Sequence, residues 1–196
     1  MGQDGTITER LMDRQLYNRS RSVETLEYII FVLLGIAIPL LLKQPQLLVG
    51  STVNFVLIMT AIHVRGWSKV VSLIVLPSVS ALLGSYLFGP FQIFLVYMLP
   101  FIWGGNALIV FLYKYLYVHK RMYFLLTLPV AALVKSAFIF CFALLWIKLS
   151  VIPPIAAPVY EVAMGHFQLI TAVLGGCAAF LVNLVYQFVL TKNRSW

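Results

Sequence analysis

Carboxylates are scarce in this sequence of 196 residues, which contains only six Asp and Glu residues. Glu161 is the only one beyond the first apolar segment, and the other five are Asp4, Glu9, Asp13, Glu24 and Glu27. General acid and base catalysis by a pair of carboxylates is therefore almost excluded.

Cysteines and catalytic motifs are equally rare. The two cysteines, Cys141 and Cys177, lie in different apolar segments, so we expect free thiols rather than a disulfide. The sequence contains no nucleophile elbow, His-Glu-x-x-His motif, Walker loop or Cys-x-x-Cys motif. These absences predict a protein that is not an enzyme and holds no cofactor, and that would need a separate ATPase subunit for any ATP-driven activity.

Apolar residues dominate what is present, because 62% of the chain is hydrophobic and only 10% is charged. A water-soluble domain of this composition would have too little polar surface to cover itself. Six apolar stretches approach or reach the length of about 20 residues that crosses a bilayer. We predict an all-α integral membrane protein, a bundle of six transmembrane helices (26–190) between a polar arm (1–25) and a short tail (191–196). The predicted spans are 26–43, 47–64, 69–88, 91–116, 122–147 and 166–190.

The fourteen Lys and Arg residues predict the orientation of this bundle. Most of them lie in the N-terminal arm, the second and fourth connections and the tail, whereas the other connections contain only Lys43 and Lys148. Cytoplasmic loops retain Lys and Arg, so both termini are predicted to be cytoplasmic and the protein to be a multi-pass protein of the cell membrane. The same bias accounts for the net charge of +8, and we expect no binding to nucleic acid.

Three segments outside the predicted spans have specific features. The capping-box spacing of residues 6–9 predicts a short helix with Leu11 and Leu16 at the cytoplasmic interface, and a solvated arm is the alternative. Residues 43–46 are typical of a tight external turn. Residues 148–165 contain three prolines, which oppose a continuous helix and predict a semi-rigid loop or a re-entrant lid over the outer face.

Lys135 is a cation inside a predicted span, and it lies near the middle of that span. Inserting a central Lys costs about 2.5–3.5 kcal/mol, so the folded bundle must offset this cost. One interpretation is a negatively charged partner, either a bound substrate or Glu161. The other is a structural role, in which the side chain snorkels or pairs with helix-terminal carbonyl groups.

Three polar residues surround the start of the sixth span: Glu161, His166 and Gln168. Each alone is more often an interfacial residue, but together, beside a proline-rich loop, they are candidate ligand contacts. Glu161 and His166 have no third metal ligand at a normal spacing, so we predict no metal site.

Two amides lie inside other spans, Asn54 in the second and Asn106 in the fourth. Asn106 and Trp103 belong to a motif with a proline and two glycines, which combines a helix kink with close approach of another helix. The amides either bond neighbouring helices or line a polar cavity together with Lys135. A stripe of small and polar residues in the sixth span, including Gly175, is best explained by helix packing.

Four segments of the sequence resemble the substrate-capture subunits, or S components, of energy-coupling factor (ECF) transporters. They are residues 46–54 (QLLVGSTVN), 99–106 (LPFIWGGN), 132–135 (ALVK) and 168–176 (QLITAVLGG). The similarity is to a poorly characterised branch that is often mislabelled iron hydrogenase. It implies a vitamin-like or other micronutrient as ligand and, as partners in a prokaryotic plasma membrane, a transmembrane coupling subunit and ATPase subunits. In that family the pocket lies in the external half, in the region that Lys135, Glu161, His166 and Gln168 match.

Two functions from different classes remain open. The first is uptake of a small anionic or amphipathic micronutrient, with Lys135 as the charge partner, amides that orient the ligand, and Asn54, Asn106 and Trp103 among the contacts. The alternative is a non-transporting membrane anchor or assembly subunit of a larger complex, in which the same polar groups bind neighbouring helices. An intramembrane enzyme ranks last, because its few reactive side chains match no known mechanism.

Overall fold

Helices form nearly all of the protein in the computed structural model, which describes residues 7–17, 20–42, 45–84 and 88–192. This part of the chain has no β-strand, and six of its segments are long and apolar enough to cross a membrane. The all-helical, six-segment architecture predicted from the sequence is therefore confirmed. The helices are α1 (Ile7–Met12), α2 (Arg21–Leu41), α3 (Gln46–His63), α4 (Trp67–Gly84), α5 (Leu95–Leu112), α6 (Phe124–Lys148), α7 (Ala157–Met164) and α8 (His166–Lys192).

Two irregular helical segments extend α5 in both directions. A 3₁₀ helix, Gly89–Phe94, precedes it, and a π-helical segment, Tyr113–His119, follows it. Together they form one apolar segment of 31 residues, longer at both ends than the fourth span predicted from the sequence. The π-helical segment contains Lys114, whose side chain is fully buried.

Basic residues mark one end of the bundle, which we call the basic end: Arg14, Arg65, Lys69, Lys120 and Arg121. There the α3–α4 and α5–α6 connections lie, and the opposite end, which we call the far end, contains the α4–α5 connection and α7. Of the turn predicted for residues 43–46, residues 43 and 44 are outside the described ranges, and Pro45 is the N-cap and Gln46 the first residue of α3 at the far end.

The N-terminal segment packs onto the basic end rather than remaining a solvated arm. Leu11 is buried, and the backbone N–H of Leu16 donates to the carbonyl of Ile62 at 2.9 Å. The buried Lys114 amine donates to the carbonyl oxygens of Arg14, at 2.7 Å, and Val64, at 2.9 Å. The short helix predicted near residue 6 is present as α1, and its attachment to the bundle comes from these backbone contacts.

The start of α2 is also buried at the basic end, before the predicted start of the first span at residue 26. Ser20 caps the helix, and the Glu24 carboxylate lies 2.7 Å from Arg65 Nε and 3.2 Å from Lys69 Nζ. These ion pairs compensate a buried carboxylate, so α2 extends through residues that a hydropathy pattern assigns to a polar arm.

Helix α3 is the central helix and packs against α2, α4, α5 and α8. All its residues from 56 to 63 are buried. Its contact with α8 is the closest, because a Cβ atom on Gly175 would lie 2.4 Å from the carbonyl oxygen of Ser51. The small-residue stripe of the sixth span therefore packs against another helix, as predicted.

The proline-rich segment at the far end contains a short helix, α7, between two turns. Tyr160 is fully buried, donates its hydroxyl to the carbonyl of Phe91 at 3.0 Å, and stacks on Phe88 with ring centroids 4.9 Å apart. These contacts attach α7 to the 3₁₀ helix before α5. The predicted semi-rigid loop or lid is therefore a packed helical cover, and Met164 at its end reaches the interior.

Candidate functional site

A cavity of about 90 Å³ lies inside the bundle, between its middle and the far end. Since about 10–15 Å³ of such space holds one water molecule, the cavity has room for several waters or a small organic group. Its walls come from α3, α4, α5, α6, α7, α8 and the residue before the 3₁₀ helix. The lining residues are Gln46, Val49, Gly50, Val53, Asn54, Pro77, Ser78, Ala81, Phe88, Leu95, Ile102, Asn106, Lys135, Met164 and Gln168.

Lys135 is the one charged residue among the described residues that line this cavity. It lies in the middle of α6, and only 2% of its surface is exposed. Its ammonium nitrogen donates to Oδ1 of Asn54 at 2.6 Å. An ammonium group has three N–H donors, and this is the one hydrogen bond that Lys135 forms with the described part of the chain.

Asn54 is held in a fixed orientation by α3 and α8. Its amide nitrogen donates to the carbonyl of Gly50 at 2.9 Å and to Oγ1 of Thr171 at 3.2 Å. Thr171 in turn donates to the carbonyl of Phe167 at 2.6 Å. Because both amide hydrogens are used on one side, the carbonyl oxygen of Asn54 faces Lys135, and the chain of bonds joins α6, α3 and α8.

Asn106 lines the cavity from α5. Its amide nitrogen donates to the carbonyl of Ile74 at 3.1 Å, three residues before Pro77, which has no N–H to donate and interrupts the α4 hydrogen-bond ladder. This bond fixes the Asn106 amide beside the cavity and ties α5 to the interrupted turn of α4.

Trp103 supports the cavity wall without being one of its lining residues. The indole N–H donates to Oγ of Ser78 at 2.7 Å, and Ser78 donates to the carbonyl of Val75 at 2.9 Å. Ser78 itself lines the cavity. Ser78 is not recognisable as a cavity residue from the sequence, since a serine inside an apolar helix commonly bonds its own backbone.

Gln46 and Gln168 are the polar lining residues at the far end. Both are partly buried, and neither side chain forms a hydrogen bond with the described part of the chain. Gln168 is among the residues predicted from the sequence, whereas Gln46 belongs to the predicted external turn. In the structure Gln46 is the first residue of α3, so its side chain extends the polar surface of the cavity along that helix.

Glu161 and His166 are both exposed and are not cavity residues. The buried face of α7 consists of Tyr160, Ala163 and Met164, which leaves Glu161 on the other side of the helix. No ion pair joins Glu161 to Lys135, so the structure does not form the carboxylate pairing considered from the sequence. His166 lines a separate groove of about 250 Å³ between α6 and α8.

The cavity offers a hydrogen-bonding cation, amide groups and an apolar wall. Its apolar lining includes Val49, Phe88, Leu95, Ile102 and Met164, and none of its described lining residues is acidic. Within the described ranges, no three His, Cys, Asp or Glu residues come close enough to hold a metal ion. This arrangement suits a small molecule with one anionic or strongly accepting group and an apolar remainder.

No protein-family profile, characterised protein or solved structure matches this chain. The similarity to S components of ECF transporters therefore stays a prediction from the four sequence segments. Any assignment of function rests on the cavity and on the groups that line it.

Proposed function

We propose that this protein is a membrane substrate-binding subunit for uptake of a small anionic or amphipathic micronutrient. The observation that carries the proposal is Lys135, a buried cation on the wall of an internal cavity with no carboxylate beside it among the described residues. A buried charge without a counter-ion is costly, and an anionic ligand would supply the missing charge. Asn54, Asn106 and Gln168 would orient the ligand by hydrogen bonds.

The resemblance to S components extends this proposal to partners. An uptake subunit without nucleotide-binding motifs would need a transmembrane coupling subunit and ATPase subunits, in a prokaryotic plasma membrane. The far end of the bundle would then face the exterior, as the predicted orientation requires.

A second candidate function has one observation in its favour. The Lys135–Asn54–Thr171 chain joins three helices, as polar groups do when they hold a membrane bundle together. In that case the protein would be a non-transporting anchor or assembly subunit. Co-purification discriminates between the two, because recovery of a redox or synthase complex in place of ATPases would favour the anchor.

Loss of the Lys135 charge is expected to abolish selective binding of anions. The test compares native mass spectra of wild type, Lys135→Met and Lys148→Met with a panel of vitamin-like carboxylates and their neutral amides. Wild type should retain at least one carboxylate about tenfold better than its amide, since a hydrogen bond to a charged group contributes about 1.5–3 kcal/mol. Lys135→Met should lose this preference.

The control residue, Lys148, is an exposed lysine on the same helix, so its substitution should leave the preference intact. Equal retention of every panel member by all three proteins would contradict the proposal.

A further inference from the structure

A second groove lies at the basic end and is separate from the Lys135 cavity. It has a volume of about 450 Å³ and lies between the N-terminal segment, the start of α6 and the last turns of α8. Its polar lining includes Tyr17, Tyr117, Arg121, Tyr123 and Gln187, and none of its described lining residues is acidic. The groove therefore carries a net positive charge from one residue, Arg121.

Arg121 has no carboxylate partner in the part of the chain that the structure describes, and it forms no hydrogen bond there. Two of the other basic-end cations differ in this respect, since Arg65 and Lys69 both pair with Glu24. Lys120, the neighbouring residue, lies over the ring of Tyr115 at 5.7 Å and does not line the groove. Arg121 is thus the guanidinium available for an anion in this groove.

The backbone at Arg121 has a φ of 57°, in the left-handed region that glycine adopts without strain. If the only requirement on this residue were to form the tight connection before α6, Gly or Asn would be favoured at this position. An arginine here is instead consistent with a role for the side chain. The adjacent Tyr123 is 80% exposed, and its hydroxyl forms no hydrogen bond with the described residues, so a second donor lies beside the guanidinium.

The other side of the groove is apolar and continues into the outer surface of the bundle. Phe124 and Phe180 line it. Leu126, which follows Phe124 closely on α6, and Leu184, one helical turn after Phe180 on α8, are exposed, on faces that hydrocarbon would cover in a membrane. A ligand that fills this groove would therefore have an anionic part beside Arg121 and an apolar part along α6 and α8.

We propose that this groove binds the headgroup of an anionic phospholipid, with its phosphate at Arg121 and its acyl chains along Leu126 and Leu184. Basic pockets between membrane helices recognise anionic headgroups by the same combination of charge and apolar surface. Inorganic phosphate would share the contact with Arg121 but not the apolar contacts, so it should compete weakly. This site is independent of the ligand proposed for the Lys135 cavity.

The test is native mass spectrometry of the full chain in detergent, with phosphatidylglycerol or phosphatidylcholine of identical acyl chains. Wild type should retain phosphatidylglycerol in preference to phosphatidylcholine. Arg121→Gln should lower the fraction bound to phosphatidylglycerol about fivefold, the effect of one cation near a membrane surface. Lys120→Gln removes the same charge one residue away, but Lys120 lies over Tyr115 and does not line the groove, so this variant should change the bound fraction less than about twofold.

Arg121→Gly provides a variant whose folding is not in question, because glycine relieves the left-handed backbone. It should melt at or above the wild-type temperature and still lose the lipid preference. Equal effects of Arg121→Gln and Lys120→Gln, or equal retention of both lipids by wild type, would overturn the proposal. Displacement of phosphatidylglycerol by millimolar inorganic phosphate would also overturn it, since the site would then be one for a free anion.

Discussion

Asn54→Leu should lower the free energy of unfolding by about 2–3 kcal/mol, because it removes the acceptor of a buried ammonium group. Asn54 accepts from Lys135 at 2.6 Å and donates to Gly50 and Thr171. Leucine has a similar size but leaves Lys135 without its bond. Thermal and denaturant unfolding in detergent, in the absence of added ligand, would measure the change.

A double-mutant cycle isolates the contribution of the Lys135–Asn54 bond. Lys135→Met removes the buried charge, so Asn54→Leu should cost less in that background than in the wild type. The matched control is Thr52→Val on the same helix, whose hydroxyl donates only to the carbonyl of Leu48 in its own helix. It should change the free energy of unfolding by less than about 0.5 kcal/mol. If Asn54→Leu is as mild as Thr52→Val, Lys135 does not depend on Asn54.

Gly175→Val should lower the free energy of unfolding by about 3 kcal/mol, the upper part of the range for overpacking. A Cβ atom at this position would lie 2.4 Å from the carbonyl oxygen of Ser51 and 2.7 Å from the backbone nitrogen of Phe55. These are backbone atoms of α3, so relief requires α3 and α8 to move apart. The separation would also shift Asn54 away from Thr171 and weaken the cavity wall.

Ala178→Val is the matched control, because Ala178 lies on the exposed face of the same helix. It introduces the same side chain and should leave the melting temperature nearly unchanged. Equal melting temperatures for the two variants would show that α3 and α8 are not in close contact at Gly175.

The helical segments could be predicted from the sequence because long apolar runs have few other solutions. The ends of these helices could not be predicted from the sequence, because contacts with residues distant in sequence determine where the helices begin and end. Glu24 would normally end an apolar segment, but its pairing with Arg65 and Lys69 allows α2 to continue through it. Lys114 was counted among the basic residues of a connection, and its burial depends on carbonyl groups of Arg14 and Val64 that are distant in sequence.

The cavity was partly predictable, because a polar residue in an apolar span needs a partner. This reasoning selected Asn54, Asn106, Lys135 and Gln168, which do line one cavity. It also selected Glu161 and His166, which are near Gln168 in sequence but are exposed and do not line the cavity.

For Glu161 the difference depends on how α7 is oriented. Its large apolar side chains, Tyr160 and Met164, occupy the interior, so Glu161 is turned outward. A sequence does not reveal which face of so short a helix is buried.

The central claim is that Lys135 gives a water-accessible cavity a positive charge. The most direct test is the labelling rate of Ser78→Cys in membranes, in a background with Cys141→Ala and Cys177→Ala. Ser78 lines the cavity, and Leu181→Cys, on an exposed face that hydrocarbon would cover in a membrane, serves as the unreactive control, since thiolate formation requires water. Anionic and cationic thiosulfonates of similar size would be compared, each corrected for its rate with a free thiol.

We expect the anionic reagent to react with Ser78→Cys about tenfold faster than the cationic reagent, by electrostatic focusing. This preference should vanish in Lys135→Met. Failure of Ser78→Cys to react, or equal rates with both reagents, would contradict the account.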